Sequence, residues 1–261
     1  MRVLKNVKYI ARMELQIYFA SPIIYILATV FLCICGYMYW DLFTNFSEYS
    51  FRAINLDKMT MNENISANTL VFTPLFSYMG FFLLLIIPLM TMRLFSEEKK
   101  IGTIELLLTY PTTNIEIVSG KLLASSTVLL IMIGTTFLYP LMTCIYGAVK
   151  FGPLMAGYLG LFLLGIAIMS VGIFSSSLTE NQIVASIITY GVIVILSTIQ
   201  WAKASVPKVV SQTLGYMSIS THLNTLLKGV IDTRDIVYFM LFSFFFLWLT
   251  LKSLESERWR K

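Results

Sequence analysis

Residues 96–121 read S-E-E-K-K-I-G-T-I-E-L-L-L-T-Y-P-T-T-N-I-E-I-V-S-G-K, a charged island between two long apolar runs. The island contains three helix starts. Ser96 followed by Glu97 and Glu98 predicts a short helix, because a hydroxyl and early acids complement the unpaired N–H groups of a first turn, and Gly102 closes it. Residues 103–109 predict a second, with Ile104, Leu107 and Leu108 on one side and Glu105 on the other, stopped by Pro111. Thr113-Asn114-Ile115-Glu116 matches the capping box S/T-x-x-E, and the helix it opens runs through Gly120 and Lys121 into the next apolar run. The result is a compact helix, turn, helix device at a membrane surface, built to meet something soluble.

The composition of the whole chain calls for the membrane. With 57% of its 261 residues hydrophobic, 13% charged and a mean hydropathy of +0.78, the chain has too little polar surface to cover a soluble globule of its size. A span needs ~20 apolar residues, and six stretches qualify: 22–40, 73–92, 122–146, 154–174, 183–200 and 236–251. The fold class is therefore an all-α integral membrane protein, a single transmembrane domain over 1–261. Twelve of the nineteen Lys and Arg residues lie in the N-terminal segment, the island and the tail. Such an excess marks the cytoplasmic side, so the island and both termini are expected there. The pI near 9.0 then reflects topology. No basic patch is interleaved with aromatic residues, and nucleic acid is not an expected partner.

Ahead of the first span, residues 1–21 place Val3, Leu4, Val7, Ile10, Ala11, Leu15 and Tyr18 on one helical face and Arg2, Lys5, Lys8, Arg12 and Gln16 on another, an amphipathic helix for the bilayer interface. Residues 41–66 have no strong period and read as a partly ordered loop. Pro88 in the second span, and Gly134 and Pro140 in the third, predict breaks. The fourth span is rich in small residues that favour close helix contact, among them Gly157, Gly160, Gly165 and Gly172. Residues 175–182 read as a short turn, with Thr179 or Asn181 capping the fifth span. That span carries a polar stripe, Ser186, Thr189, Tyr190, Ser197 and Gln200, broken only by Ile193. The stripe faces either a substrate path, a subunit interface or packed helices. In the connection 201–235, a pair of short helices is expected, with Ser220-Thr221 as a cap between them.

Several chemistries have no support in the sequence. Cys33, Cys35 and Cys144 lie in expected spans and suggest neither a disulfide framework nor a metal site. His222 has no nucleophile or ligand cluster around it in sequence and reads as a surface or helix-capping residue. No G-x-x-x-x-G-K-[ST] loop occurs to cradle ATP. No charge falls at mid-span to mark an ion-coupled carrier.

The segment M-R-L-F-S-E-E-K-K-I-G-T-I-E-L-L-L-T-Y-P followed by I-V-S-G-K-L-L-A resembles the signature of type-2 ABC exporter permeases, especially the bacterial branch of gliding-motility-associated permeases. The S-S-S-L-T-E-N-Q turn, the G-V-I-D-T-R-D segment and the S-L-E-S-E-R-W tail extend the likeness over most of the chain. The resemblance implies a multi-pass subunit of the bacterial inner membrane, paired with a second permease copy or paralogue and working with separate cytoplasmic ABC ATPase subunits. ATP and magnesium would belong to those subunits; this chain itself would bind no cofactor and be no enzyme. By position, the coupling region is 93–121. Within it Glu97, Glu98, Lys99, Lys100 and Glu105 supply polar contacts, Ile104 and Leu107 apolar knobs, and Gly102 and Pro111 the geometry. The resemblance also makes residues 209–227 outer re-entrant helices. The implied activity is ATP-driven export or extraction. The alternative is a mechanotransmitter or scaffold that moves no substrate.

Overall fold

Small residues recur along residues 151–178, and the helix they form is the one on which the others assemble. A computed structural model describes residues 2–55, 67–104, 112–146, 149–202, 216 and 218–259. Its helices are α1 (Arg2–Ala20), α2 (Pro22–Asn55), a π-helical turn (Asn68–Phe72) leading into α3 (Thr73–Thr91), α4 (Arg93–Ile101), α5 (Asn114–Thr135), α6 (Leu138–Tyr146), α7 (Phe151–Leu178), α8 (Gln182–Ala202), α9 (Ile219–Leu227) and α10 (Thr233–Trp259). No strand occurs among the described residues. Among the described residues, six helical stretches are long and apolar enough to cross a membrane, formed by α2, α3 with α4, α5 with α6, α7, α8 and α10.

In α7, 72% of the apolar window is buried, against 17% in α10 and 22% in α2 and α8, so α7 is the hub and those three form the rim. Helices α3, α4, α5, α8, α9 and α10 all pack on it. Glycines make this approach close. A Cβ at Gly157 would overlap Phe76, at Gly160 Leu226, at Gly165 Leu129 and at Gly172 Thr91, so each missing side chain seats a residue from a neighbouring helix. Lipid offers no hydrophobic drive for helix association, and dispersion contacts at short range take its place. On the rim, Tyr25, Ile195 and Phe244 keep large apolar side chains exposed, as a lipid-facing surface requires.

The expected loop from residue 41 is instead helix, because no Gly or Pro interrupts residues 37–55, and α2 runs on to Asn55. Thr44 and Ser50 turn their hydroxyls back to the Asp41 and Phe46 carbonyls. The third span does break, at Thr136 and Phe137. Pro140 has no N–H for the Thr136 carbonyl four residues back; the Tyr158 hydroxyl of α7 donates to that oxygen instead, at 3.1 Å. By contrast α3 continues through Pro88 to Thr91 and breaks only at Met92.

Residues 175–178, expected in a turn, are the last turn of α7, with Ser175, Ser176 and Ser177 fully buried. Only residues 179–181 form the connection, where Asn181 Oδ1 accepts from the Ile183 N–H at 2.9 Å and caps α8. Helix α9 begins after Ser218, so Ser220 and Thr221 lie inside it and not at its start. A first member of the expected pair of short helices falls on residues outside those described. Gly229, at φ 84°, ends α9, and its lack of a Cβ admits Pro153.

Candidate functional site

The island emerges where the end of α3, the start of α5, the end of α7 and the whole of α1 meet. Helix α4 has no side-chain cap of its own. Instead the Phe95 and Ser96 N–H groups donate to Ser176 Oγ at 2.9 and 3.0 Å, and that hydroxyl donates to the Met92 carbonyl at 2.9 Å. One hydroxyl from α7 thus uses both lone pairs and its proton across the break. The helix expected to open at Ser96 consequently begins three residues earlier, and Ser96 is buried inside it with its hydroxyl on the Met92 carbonyl. Gly102, at φ 79°, closes α4 with its N–H on the Lys99 carbonyl at 3.1 Å, a left-handed cap that glycine adopts readily.

Past α4, the chain re-enters the bundle at Thr113. The Thr113 hydroxyl accepts from the Glu116 N–H at 3.3 Å, and Glu116 Oε2 accepts from the Thr113 N–H at 2.9 Å, the reciprocal box read from the sequence. Glu116 is itself buried and also faces Asn6 of α1 at 3.4 Å. One turn further, Gly120 receives Ile10 of α1.

Lys121 is the centre of this end of the molecule. Its side chain is 2% exposed, and its ammonium donates to Glu14 Oε1, to Glu98 Oε1 at 2.8 Å and to the Leu94 carbonyl at 2.7 Å. Three donors meet three acceptors, which leaves no N–H of this buried ammonium unpaired. The Phe95 ring lies 4.9 Å from the ammonium. Lys121 on α5 thereby binds α1 to α4. A second lysine extends the lock: Lys99 donates to Glu257 Oε1 near the end of α10 and to the Ser177 carbonyl at the end of α7. Tyr18 completes it, donating to the Met90 carbonyl at 3.1 Å, with the Arg93 guanidinium 4.9 Å over its ring. Burial first, and Glu14 second, hold the Tyr18 phenol well above its usual range, so it remains a neutral donor.

This geometry sorts the island residues. Glu98 and Lys99 turn inward into ion pairs, Glu97 and Ile104 are half-buried, and Lys100, Ile101 and Gly102 face outward, Ile101 with 67% of its surface exposed. Glu105, Leu107 and Pro111 lie outside the described residues.

The stripe on α8 faces the chain's own helices. Ser186 is buried and bonds back to the Ile183 carbonyl at 2.8 Å; Thr189 bonds to the Ala185 carbonyl at 2.9 Å and to the Ser175 hydroxyl of α7. Tyr190 donates to the Leu85 carbonyl, in the turn of α3 that Pro88 loosens. Ile193, on the same face, is 3% exposed. Ser197 Oγ is buried with no hydrogen-bond partner among the described residues, and the side chain of Gln200 is outside those described.

At the other end of the bundle His222 is no surface residue. It is buried, with Nδ1 2.6 Å from Asp235 Oδ1 and Nε2 3.1 Å from the Tyr216 carbonyl, and its ring stacks on Tyr238 at 4.1 Å. It ties α9 to the start of α10, and among the described residues no nucleophile is bonded to it. Among the described residues no group of His, Cys, Asp and Glu is arranged to hold a metal ion.

Glu14, Lys121, Ser176 and Glu257 are the residues that sequence reasoning passed over. Glu14 carried a signal, since it lies on the apolar face of α1 with Ile10, Ala11 and Tyr18, where an acid needs a buried partner. The other three carried none, because each acts on a helix remote in sequence.

Residues 9–252 match the family described as ABC-2 family transporter protein. No curated protein matches the chain.

Proposed function

Because the chain belongs to the ABC-2 transporter family, and is a multi-pass membrane subunit of an ABC transporter, we propose that α4 and the segment after it form the element through which a cytoplasmic ATPase drives the permease. Members of this family work with ABC ATPases, and this subunit is not itself the catalytic one. The observation that carries the reading is the division of labour along α4. Ser96, Glu98 and Lys99 anchor it to α1, α5, α7 and α10, while Lys100, Ile101 and the Gly102 cap are left facing outward. A helix locked on one side and presenting an exposed apolar residue at its tip suits a lever: a push on the tip is delivered to every helix to which it is tied.

On this reading the island and both termini are cytoplasmic, in the inner membrane of a bacterium. Two permease copies, or this chain and a paralogue, face one another. Closure of the ATPase pair displaces α4, the ion pairs carry that displacement to α1, α5 and α10 and the Ser176 and Ser177 hydrogen bonds carry it to α7, and the path between the two permeases changes its opening for export or extraction. The stripe on α8 serves packing within the chain, with Thr189 on α7 and Tyr190 on α3 as its ties. The island and the S-L-E-S-E-R-W tail keep the gliding-motility-associated permeases as the branch this chain resembles.

The inward turn of Glu98 and Lys99 moves the decisive test to the outward residues. Ile101→Asp, in the complex with its ATPase, is expected to weaken ATPase association about tenfold or more, the cost of losing an apolar anchor at an interface, with the permease inserted and folded. Unchanged co-purification and unchanged stimulated hydrolysis would overturn the assignment.

A further inference from the structure

Two cavities adjoin at the junction of α1, α2, α3 and α4, one of about 440 Å³ between α1 and α4 and one of about 250 Å³ between the start of α2 and the end of α3. Tyr18, Arg93 and Glu97 line both. The junction lies where α2 begins, α3 ends and α8 begins, so it is level with one edge of the apolar spans. Such a level is where lipid headgroups lie.

Two of its charged groups, Arg93 and Glu97, are unspent. Arg93 is half-buried, held over the Tyr18 ring, and among the described residues it has no hydrogen-bond or ion-pair partner. Glu97 is half-buried and, among the described residues, equally unpaired. Glu98 Oε2, in the larger cavity, is a buried oxygen with no donor among the described residues, since Lys121 takes only Oε1. A guanidinium and carboxylates line one apolar-walled space without pairing with each other, although a charge at such depth ordinarily finds a counter-ion. The walls continue outward in Ile17 and Ile23, each nearly half exposed, toward the rim of α2.

We propose that this junction binds one amine-bearing zwitterionic phospholipid, with its phosphate on Arg93, its ammonium on Glu97 and Glu98, and its acyl chains along Ile17 and Ile23. A purely anionic headgroup would satisfy Arg93 but meet three carboxylates, Glu14, Glu97 and Glu98, and a free cation would leave the guanidinium unpaired. A headgroup carrying both charges answers each group, and a primary ammonium with three N–H donors suits the carboxylates better than a quaternary one, which has none. The bound lipid would brace α1 against α4 at the base of the charged lock.

The test uses the full chain in detergent, with phosphatidylethanolamine, phosphatidylglycerol, phosphatidylcholine and soluble phosphoethanolamine as probes, and lipid retention read by native mass spectrometry. Phosphatidylethanolamine is expected to bind about tenfold tighter than either other lipid, the value of one charge-assisted hydrogen bond, and soluble phosphoethanolamine should not displace it. Glu97→Gln should bring phosphatidylglycerol level with phosphatidylethanolamine, and Arg93→Gln should weaken both. Lys100→Gln, outward-facing, should alter neither. Glu97 has no partner within the described chain, so its variant is expected to stay folded, and its thermal unfolding is followed in the same samples. Equal retention of all three lipids by the wild-type chain, a preference for phosphatidylglycerol, or a preference unmoved by Glu97→Gln would overturn the proposal. Displacement by soluble phosphoethanolamine would do the same, because the acyl contacts would then contribute nothing.

Discussion

The two ends of the helix bundle are held together by different chemistry. At the end carrying α4, charged side chains make the long-range ties: Lys121 with Glu14 and Glu98, and Lys99 with Glu257. At the end carrying α9, most ties are neutral. Asn68 donates to the Lys150 carbonyl at 2.8 Å and accepts from the Lys150 N–H at 3.0 Å, and Thr73 reaches the Leu227 carbonyl at 3.4 Å. Among the described residues, His222 and Asp235 form the one ion-pair contact there. Between the ends, glycine contacts on α7 do the work. Charged ties are directional and costly to break singly, because each leaves a buried charge without its counter-ion.

Removing the centre of the charged end should have the largest effect. Lys121→Met leaves Glu14 and Glu98 buried without a counter-ion, and unfolding in detergent is expected to be easier by about 3–5 kcal/mol. Adding Glu14→Gln should recover part of that loss. A simple sum of the two single losses in the double variant would mean the pair is not coupled.

The neutral end should yield less. Asn68→Ala removes two hydrogen bonds to one backbone unit, with an expected loss of about 1–3 kcal/mol. The comparison is broken if this variant proves as costly as Lys121→Met under the same denaturation assay.

The smallest effect sharpens what "charged tie" means. Lys252 and Glu255 on α10 pair at 2.7 Å, but both are about half exposed and belong to one helix. Lys252→Ala should change stability by less than ~0.5 kcal/mol, as exposed pairs usually do. A loss comparable to that of Lys121→Met would show that charge alone, without burial or a second helix, sets the strength of this end.

Much of the fold was legible because it follows from local chemistry. Hydropathy set six spans, Thr113 and Glu116 set the start of α5, and Gly102 set the end of α4, each through groups within four residues of one another. Pro140 announced the break in the third span. The errors fall where the deciding group is far away in the chain. Ser96 looked like a cap, yet Ser176, eighty residues on, performs that role. His222 looked peripheral because Asp235 and Tyr238, which bury it, come from the next helix.

The sequence by itself therefore determined that this chain crosses a membrane as helices, and where the principal helices start and stop. Those properties depend on transfer free energy along a stretch and on hydrogen bonds within a turn. Only the tertiary structure decided which charges of the island face outward. Glu98 and Lys99 are indistinguishable from Glu97 and Lys100 in composition and neighbourhood, and what separates them is the angle at which α4 meets Lys121 and Glu257. A side chain's direction relative to a partner on another helix is set by packing, and successive residues point about 100° apart on a helix, so Glu98 and Lys99 reach inward partners while Lys100 points away from them.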